Sequence, residues 1–523
     1  MKKYLFIALA AMGFAACESA QENATPGQNG ELEQSYVAIT LAADDLNTRA
    51  DDGKYEDGTE AERAVKSAYV FFFEDGEAFP VAFNNGTSTN SGESNYLAVN
   101  LTTVGKDTPN VSDVKDAVLV LQNYKGEYPN QILAVLNWTP AAASYDLDQL
   151  QAEISALGSD ANGYVMSNAV YVDGTRNVVD VVPLTVENIG KTAAEALAKP
   201  VTIHVERVAA KVVFTSNNAG KFEVGTVNDT VDNVETTVYA QIKGFELYND
   251  YESSYLIKRV DPAWEVGFNW NDANWHRSYW ATSITDAFPA NKYAWATDNT
   301  EMGGYVYCGE NTRAWTAEKD LRTKVIVKAQ LVDAAGKSVE VVNWYGKEYV
   351  GEDNLLKVVA NTLKNTYFTS ADEKTFTALT PEDIKCVARD PKSKNAYEVY
   401  FVIADSSKSK KWYRYEGYYK PIRLEDLNTN LASIQPALVY KNGMTYYWLD
   451  IKHIGVAGSI AEYGIVRNHV YKVNIKDISG YGTPVYNGNT AFITPEKPQE
   501  VKSYVSAQIN ILSWRIVAND YEI

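Results

Sequence analysis

The 523-residue sequence predicts an all-β protein made of sandwich domains. Short runs of alternating or wholly apolar residues recur along the chain, and clusters of turn-forming residues separate them about every ten residues. Few segments show the three-to-four-residue apolar spacing of a helix. No motif repeats at a period of roughly 20 to 50 residues, which excludes a solenoid or a propeller.

The composition is that of a folded, acidic protein. Hydrophobic residues make up 46% and charged residues 22%, so the chain can bury a core, and its length suits roughly two to four domains. The formal net charge of −19 argues against nucleic acid and anionic lipid surfaces as main partners, because both attract basic patches.

The first residues form an export signal. Two lysines precede an apolar run over residues 4–16, which is too short for a membrane span. The small residues before Cys17 resemble a bacterial lipoprotein signal, in which this cysteine carries the lipid, although Phe14 stands where leucine is usual. An ordinary signal peptide cut near Ala16 is the alternative. Residues 18–33 are polar and predict a flexible spacer.

The first strand of the exported chain lies close to a protease site. Its residues alternate over 36–42, and its apolar face consists of Val37, Ile39 and Leu41. An acidic linker follows, and its single arginine allows a trypsin-like protease to cut between Arg49 and Ala50. Arg63 is the competing site, since it also precedes the first strand of the body. Arg49 is preferred because it follows the early strand closely and leaves a soluble tail.

The body of the chain alternates strands and turns and contains few helices. Strands are predicted at residues 67–73, 116–121, 131–137, 200–214, 238–248, 323–331, 339–344, 397–404, 437–440, 445–449 and 470–478. Helices are predicted at residues 145–157, 193–198, 355–365 and 424–434. Asn442-Gly443 predicts a hairpin turn. The loop cluster at residues 216–220 is the predicted domain boundary.

An irregular region in the second half is rich in tryptophan. These residues are predicted to pack mostly against the sheet of the second domain, with at most one or two exposed: Trp264, Trp270, Trp275 and Trp280.

The last strand has the same alternation as the first. Its apolar residues are Val505, Ala507, Ile509 and Ile511. We interpret residues 505–518 as a donor strand, which replaces the first strand of a neighbouring molecule and does not serve its own core. The apolar phase changes after Ile511, which predicts a bulge or a second docking segment there.

The sequence contains no recognisable catalytic or metal-binding motif. A P-loop, a dinucleotide-binding glycine motif, a nucleophile elbow and a zinc-protease helix are all missing. The acidic residues 51–58 lack the spacing of a calcium loop. The sequence therefore predicts no enzyme activity, no catalytic residue, no metal site and no cofactor. Cys308 and Cys386 could pair in an exported chain, and the sequence leaves that question open.

Several motifs in order resemble those of the Bacteroidales type V fimbrial shaft subunits, the FimA/Mfa superfamily. The resemblance covers nearly the whole chain and is greatest to the Mfa-type major subunit of the minor, or short, fimbria. The motifs are residues 128–137 (YPNQILAVLN), 163–168 (GYVMSN), 205–212 (VERVAAKV), 243–249 (KGFELYN), 278–281 (SYWA), 307–312 (YCGENT), 446–448 (YYW) and 463–471 (YGIVRNHVY).

The resemblance implies two transthyretin-like β-sandwich domains in tandem, with a few short helices. The expected layout is a lipoprotein signal over residues 1–17, a propeptide with a removable strand over 18–49, an N-terminal domain over 50–215 and a C-terminal domain over 216–523. An Arg-specific surface protease removes the propeptide, and subunits then join head to tail by strand exchange. The outer-membrane lipoprotein precursor thereby becomes a cell-surface fimbria.

The expected partners are other copies of the chain, tip and anchor subunits of the fimbria, and host or bacterial surface ligands. The expected roles are adhesion, coaggregation, biofilm formation and virulence. Two alternatives remain. One is a tip or accessory adhesin of the same fimbria. The other is a monomeric surface lipoprotein that binds glycans through its tryptophan-rich region.

Overall fold

The structure is a computed structural model. It describes residues 34–42, 56, 58–80, 82–84, 89–91, 94–99, 101–104, 114–122, 128–172, 178–259, 281–285, 288, 295, 300–312, 321–390, 396–453, 462–489, 504–512 and 518–519. Within these ranges, no helix is long and apolar enough to cross a membrane.

Among the described residues, eighteen strands precede the junction between the N-terminal and C-terminal sheets. They are β1 (Gln34–Ala42), β2 (Ala68–Glu74), β3 (Glu77–Ala78), β4 (Ala82–Asn84), β5 (Thr89–Ser91), β6 (Tyr96–Ala98), β7 (Thr102–Val104), β8 (Val114–Gln122), β9 (Gln131–Leu136), β10 (Ile154–Ala156), β11 (Gly158–Ser159), β12 (Gly163–Tyr164), β13 (Met166–Asn168), β14 (Tyr171–Val172), β15 (Val178–Val179), β16 (Val182–Pro183), β17 (Ile189–Gly190) and β18 (Val201–Arg207).

Twenty strands follow in the described part of the second half. They are β19 (Ala210–Ser216), β20 (Lys221–Asp229), β21 (Val234–Tyr248), β22 (Ser253–Tyr255), β23 (Tyr305–Cys308), β24 (Lys324–Val332), β25 (Val341–Trp344), β26 (Lys347–Val350), β27 (Tyr367–Thr369), β28 (Thr377–Ala378), β29 (Ile384–Ala388), β30 (Glu398–Ile403), β31 (Trp412–Tyr415), β32 (Tyr419–Ile422), β33 (Ala437–Val439), β34 (Met444–Asp450), β35 (Val470–Ser479), β36 (Thr483–Pro484), β37 (Tyr504–Leu512) and β38 (Ala518–Asn519). The α-helices are α1 (Glu60–Arg63), α2 (Leu147–Ala152), α3 (Ala193–Ala198), α4 (Glu352–Leu363) and α5 (Leu424–Ala432).

The N-terminal domain is a sandwich whose two layers share one bent strand. The sheet runs in the order β3-β2-β9-β13-β18-β1-β8-β4-β5. The first half of β18 pairs with β1, and its second half pairs with β13, so β18 passes from one layer to the other. The enclosed core is apolar and includes Val70, Phe72 and Ile203.

A second apolar layer covers the outer face of β2 and β9. The alternate residues Phe71 and Phe73 point into this layer and are fully buried. Leu150 of α2 packs there too, and so do Leu256 and Ile257, which come from far along the chain after β21. The N-terminal domain is thus completed in part by a segment that follows the first strands of the C-terminal domain.

The change from one domain to the other occurs between β18 and β19. We predicted one long strand over residues 200–214, and this is wrong. β18 belongs to the N-terminal sheet, whereas β19 pairs with β23 and β35 of the next sandwich. The sheets therefore change at Val208 and Ala209, earlier than the loop at 216–220 that we expected as the boundary. Both residues are fully buried in the apolar layer that covers β2 and β9, so no exposed turn interrupts the pattern that predicted a single strand.

The C-terminal domain is a sandwich of two five-stranded sheets. One has the order β23-β19-β35-β37-β38 and the other β20-β21-β24-β34-β36. Side chains from both sheets form one core, with Phe214 and Phe245 stacked at 4.7 Å between ring centroids. The predicted all-β class with sandwich domains is confirmed by these two cores.

A third core was not predicted. Between β24 and β34, residues 341–439 build two small sheets, β26-β25-β33-β30-β29 and β28-β27-β31-β32, which pack with α4 and α5. Its ends meet, since the Tyr440 N–H donates to the Val341 carbonyl at 2.9 Å. We call this unit the insert. Asn442-Gly443 forms a turn, as expected, but the strands on either side of it belong to different sheets, so the predicted hairpin is wrong.

A predicted helix, the open cysteine question and the tryptophan prediction remain to be compared with the structure. The predicted helix 145–157 ends at Ala152, and its last part is the short strand β10. Cys308 and Cys386 are both free and lie in separate cores, so they do not pair. The four tryptophans between 264 and 280 lie outside the described residues.

Candidate assembly site

β1 occupies the middle of the N-terminal sheet. All nine of its residues pair antiparallel with β8, from Gln34 opposite Gln122 to Ala42 opposite Val114. On its other side, residues 39–42 pair in parallel with the start of β18, and residues 36–37 pair with β17. A strand bonded on both edges contributes its backbone groups to two ladders, so it is an integral part of the sheet.

The side chains of β1 contribute to the core as the alternation predicted. Val37 and Ile39 are 0% and 1% exposed and lie among the core residues of the N-terminal domain. Leu41 pairs through its backbone with Lys115 and Ile203, while its side chain lies outside the described part of the chain. Ala38 is also buried, on the opposite face of the strand. The structure therefore places the first predicted strand where its loss opens the core.

The C-terminal strand pairs within its own chain. β37 lies antiparallel to β35 in the C-terminal sandwich, next to the two-residue strand β38. The four predicted donor residues, Val505, Ala507, Ile509 and Ile511, stand opposite Ile478, Ile475, Val473 and Tyr471, in that order. All four partners are core residues. A bulge at Lys476 in β35 keeps Ile478 in phase with this series, which explains why the alternation in residues 470–478 breaks.

This pairing bears on two expectations. We expected the last strand to serve a neighbour and not its own domain; in the single chain it closes one edge of β35, and its donation to a neighbour stays a prediction. We also expected one donor strand over residues 505–518, but β37 ends at Leu512 and Ala518–Asn519 returns to pair with Ile509 and Asn510. An open sheet edge can pair with any available strand, and in the isolated chain a strand of the same chain takes this edge.

Of the two candidate cleavage sites, Arg49 and Arg63, the structure describes only Arg63. Cys17, Arg49 and Ala50 lie outside the described residues. Arg63 is the last residue of α1, and its N–H donates to the carbonyl of Thr59 at 3.2 Å. A protease binds its substrate as an extended strand, so the α1 turn must unwind before it can be cut.

Glu62, the neighbour of Arg63, fixes α1 to the domain junction. Its carboxylate is fully buried and accepts hydrogen bonds from the Thr59 N–H at 2.6 Å, from Lys211 Nζ at 2.7 Å and from the Tyr307 hydroxyl. Its backbone carbonyl accepts from Arg207 Nε at 2.7 Å. Glu62 thus joins α1 to β18, β19 and β23 at once, and unwinding α1 breaks all of these bonds.

The charges around Glu62 are matched. Burial alone raises the pKa of the Glu62 carboxyl, but the hydrogen bonds from Lys211, Tyr307 and Thr59 outweigh it and leave the pKa lowered. Burial lowers the pKa of Arg207 to about 10, so this guanidinium stays charged at neutral pH. The Glu62 carboxylate and the Arg207 guanidinium are therefore both ionised near neutrality.

A second buried ion pair joins the domains at another point. Arg467 is fully buried, and its Nε and Nη2 donate to Glu310 Oε2 at 2.9 and 2.6 Å. The same guanidinium donates to the carbonyls of Leu256 and Tyr255 at 3.0 and 2.6 Å. Because Leu256 packs in the N-terminal domain, Arg467 holds both sandwiches together.

Our sequence reasoning did not single out Glu62, Glu310 or Arg467. Glu310 and Arg467 lie inside the motifs at residues 307–312 and 463–471. The motifs therefore contained both residues, but nothing in the sequence indicated that the two form an ion pair. Among the described residues, no group of histidine, cysteine or carboxylate side chains is placed to hold a metal ion.

Comparison with known proteins finds a fimbrial family model that matches the C-terminal part of the chain. Residues 438–520 match the family model described as major fimbrial subunit protein type IV, fimbrillin, C-terminal. This segment contains β34 to β38 and therefore the candidate donor strand. No curated protein matches the chain.

The chain is also similar to solved structures. A fimbrilin from Porphyromonas gingivalis W83 is 12% identical, with 92% of this chain and 98% of that chain covered and a TM-score of 0.39. A candidate cell adhesion protein from Parabacteroides distasonis ATCC 8503 is 12% identical, with the same coverage and a TM-score of 0.35. Another, from Bacteroides eggerthii DSM 20697, is 11% identical, covers 93% and 99%, and has a TM-score of 0.34.

Proposed function

We propose that this chain is the shaft subunit of a cell-surface fimbria, of the Mfa type, and that it polymerises by exchange of strands. The observation that carries the proposal is the position of β1, which completes the N-terminal sheet from a tether that a protease can cut. The family match of residues 438–520 to major fimbrial subunits supports it.

Maturation begins with a lipoprotein precursor anchored at Cys17. An Arg-specific surface protease cuts between Arg49 and Ala50. This cut releases the propeptide, residues 18–49, which contains β1. Its departure leaves a groove where Val37 and Ile39 were buried, and it leaves unpaired backbone groups along β8 and β18. This groove is the acceptor site of the mature subunit.

The C-terminal strand of the next subunit fills the groove. β37 has nine residues, as many as β1. It lies near the edge of its own sheet, with only β38 beyond it, so it can leave with less disruption than a central strand. Burying each large apolar side chain contributes roughly 1.5 to 3 kcal/mol, and a new ladder adds to that. Head-to-tail donation does not close on itself, so it produces a filament.

The fimbria adheres to host or bacterial surfaces and ends in tip and anchor subunits. The chain acts by binding and assembly, without chemistry of its own. Its acidic charge keeps filaments apart in solution, which suits an extended surface structure.

The central test compares two arginine substitutions in the precursor. Arg49→Ala should block processing, keep β1 in place and give a folded, soluble protein that forms no fibres. The matched control is Arg63→Ala, which should be processed and polymerise as the wild type does. Electron microscopy and N-terminal sequencing of surface protein are the measurements, with Ala50 expected as the first mature residue. Fibres from Arg49→Ala, or their loss only in Arg63→Ala, would overturn the proposal.

A further inference from the structure

A cleft of about 600 Å³ lies where the insert meets the C-terminal sandwich. One wall is the edge strand β29 of the insert. Other lining residues come from the turn after β33 and from the segment after β36, and they include Asn442, Tyr486 and Asn489. The indole of Trp295 completes the lining. This size falls in the range of roughly 300 to 1,000 Å³ that is usual for small-ligand sites.

Two aromatic side chains in the lining are held in fixed positions. The Trp295 Nε1–H donates to the carbonyls of Ala329 and Thr445, each at 3.0 Å, and Lys328 Nζ lies 4.8 Å from the centre of the ring. The Tyr486 hydroxyl donates to Glu352 at 3.1 Å and to the Cys386 carbonyl at 3.3 Å. Rings fixed in this way lose little freedom when a flat apolar surface stacks on them.

Three asparagine side chains are among the polar groups of the cleft. Asn442, Asn487 and Asn489 line it and are exposed, so their side chains reach a bound molecule at little cost in desolvation. An amide side chain offers both donors and an acceptor, which matches the mixed hydrogen bonding of sugar hydroxyls.

The charges of the cleft are already balanced. Lys441 Nζ binds the carboxylates of Glu352 and Glu340 at 2.7 and 3.4 Å. Lys385 binds Asp405. An anionic ligand would have to compete with these carboxylates, so the site favours an uncharged molecule.

We infer that this cleft is a binding site for a neutral mono- or disaccharide, which stacks on Trp295 and bonds to the asparagine amides. An extended peptide fits less well, because the outward carbonyl of Cys386 on β29 is already bonded to Tyr486. This inference rests on the proposed function, because the sugar site would provide the ligand class to which the adhesive fimbria binds.

The test uses purified full-length protein and saturation-transfer NMR with lactose, N-acetyllactosamine, maltose and mannobiose. 3′-Sialyllactose serves as the anionic comparison, and an extended pentapeptide serves as the peptide comparison. At least one neutral sugar should bind, and Trp295→Ala and Asn489→Ala should each weaken it about tenfold, the loss of one good contact. The matched control is Tyr345→Ala, which removes an aromatic ring that is 64% exposed on the insert but outside the cleft.

Circular dichroism and melting curves show whether each variant is folded. Asn489 is exposed, so Asn489→Ala keeps the test informative even where Trp295→Ala fails to fold. Absence of binding by all four neutral sugars, binding of the sialylated sugar or the peptide alone, or sugar binding that Asn489→Ala leaves unchanged would each overturn the inference. Fibre formation is scored separately on the same variants, so a failure of sugar binding is distinguishable from a failure of assembly.

Discussion

Buried charges at the domain junction each have an opposite charge beside them. Arg467 and Glu310 are 0% and 2% exposed, and both are fully enclosed by protein. The energy of such a pair depends on keeping both members, because removing one leaves the other charged and without water. Residues of this kind are therefore the most sensitive positions for point substitution.

The Glu310→Gln variant should be strongly destabilised. The change keeps the shape of the side chain but leaves the Arg467 guanidinium unmatched, at a cost of roughly 3 to 5 kcal/mol of unfolding free energy. Denaturant unfolding of the monomeric precursor is the measurement. Glu187→Gln is the matched control, since its pair with Lys199 is exposed and should contribute little. Equal midpoints for the two variants would show that the junction does not depend on this pair.

The Glu62 carboxyl should make the junction sensitive to acid. Its pKa in the folded chain is below the ordinary value of 4.5. A carboxyl with a lowered folded pKa stabilises the protein above its unfolded pKa, and this contribution is lost as the pH falls through the folded value. Melting temperatures should therefore drop below about pH 4.5 in the wild type, and they should drop less steeply in Glu62→Gln. Parallel curves for the two proteins would contradict this assignment.

At the scale of strands and helices, the sequence predicts where many elements lie, but it says less about which strands pair with each other. Alternation located β1 and β37, and helical spacing located α3 at its observed bounds, because these patterns depend on near neighbours. Pairing depends on residues far apart in sequence. The local sequence pattern therefore does not show that β1 pairs in parallel with β18. It also does not show that β37 pairs with β35 of its own chain.

Some failures have a local cause. Val208 and Ala209 join β18 to β19 without a turn-forming residue, so no turn signal marks the change of sheet. In residues 145–157, the apolar positions after Ala152 keep helical spacing but pair with β22 as a strand. In both places tertiary contacts outweigh the local pattern.

Deletion of residues 504–523 should abolish fibres and also weaken the C-terminal domain. The proposed donor strand is lost, and the edge of β35 opens in the same step because β37 covers it in the isolated chain. Hydrogen exchange should speed up over residues 470–479 while the N-terminal sheet stays protected, and electron microscopy should show no filaments. Deleting only residues 518–523 is the control and should leave β37 paired. Normal filaments from the longer deletion would exclude β37 as the donor.

At the scale of the whole molecule, the chain contains two sandwiches and an insert, and the insert has ends that meet. Val341 and Tyr440 both belong to the core of the C-terminal sandwich, and they hydrogen-bond to each other. The sequence predicted the helices α4 and α5 but not their grouping, since nothing local shows that β24 and β34 pair across the insert.

The insert should be removable without loss of assembly. We would replace residues 342–439 with a short glycine-rich linker. This change keeps the two core residues, Val341 and Tyr440, that flank the deleted segment. The variant also carries Asp229→Asn, because this buried carboxylate otherwise loses its bonds from Val350 and Asn354. The shortened protein should fold, as judged by circular dichroism, and polymerise after processing. A linker inserted after Tyr345, without any deletion, controls for the linker itself. An unfolded product would show that the insert is part of the sandwich core.

The continuity of β18 and β19 has a mechanical consequence for the proposed filament. A strand seated in place of β1 lies along β18, and only two residues separate β18 from β19, which pairs in parallel with β35. The chain then runs from β35 to its own outgoing strand. Tension along the filament would thus load rows of backbone hydrogen bonds lengthwise, in shear, where many bonds resist together. The tensile strength of the fibre would be set by its strand ladders, and the faces of the sandwiches would carry little of the load.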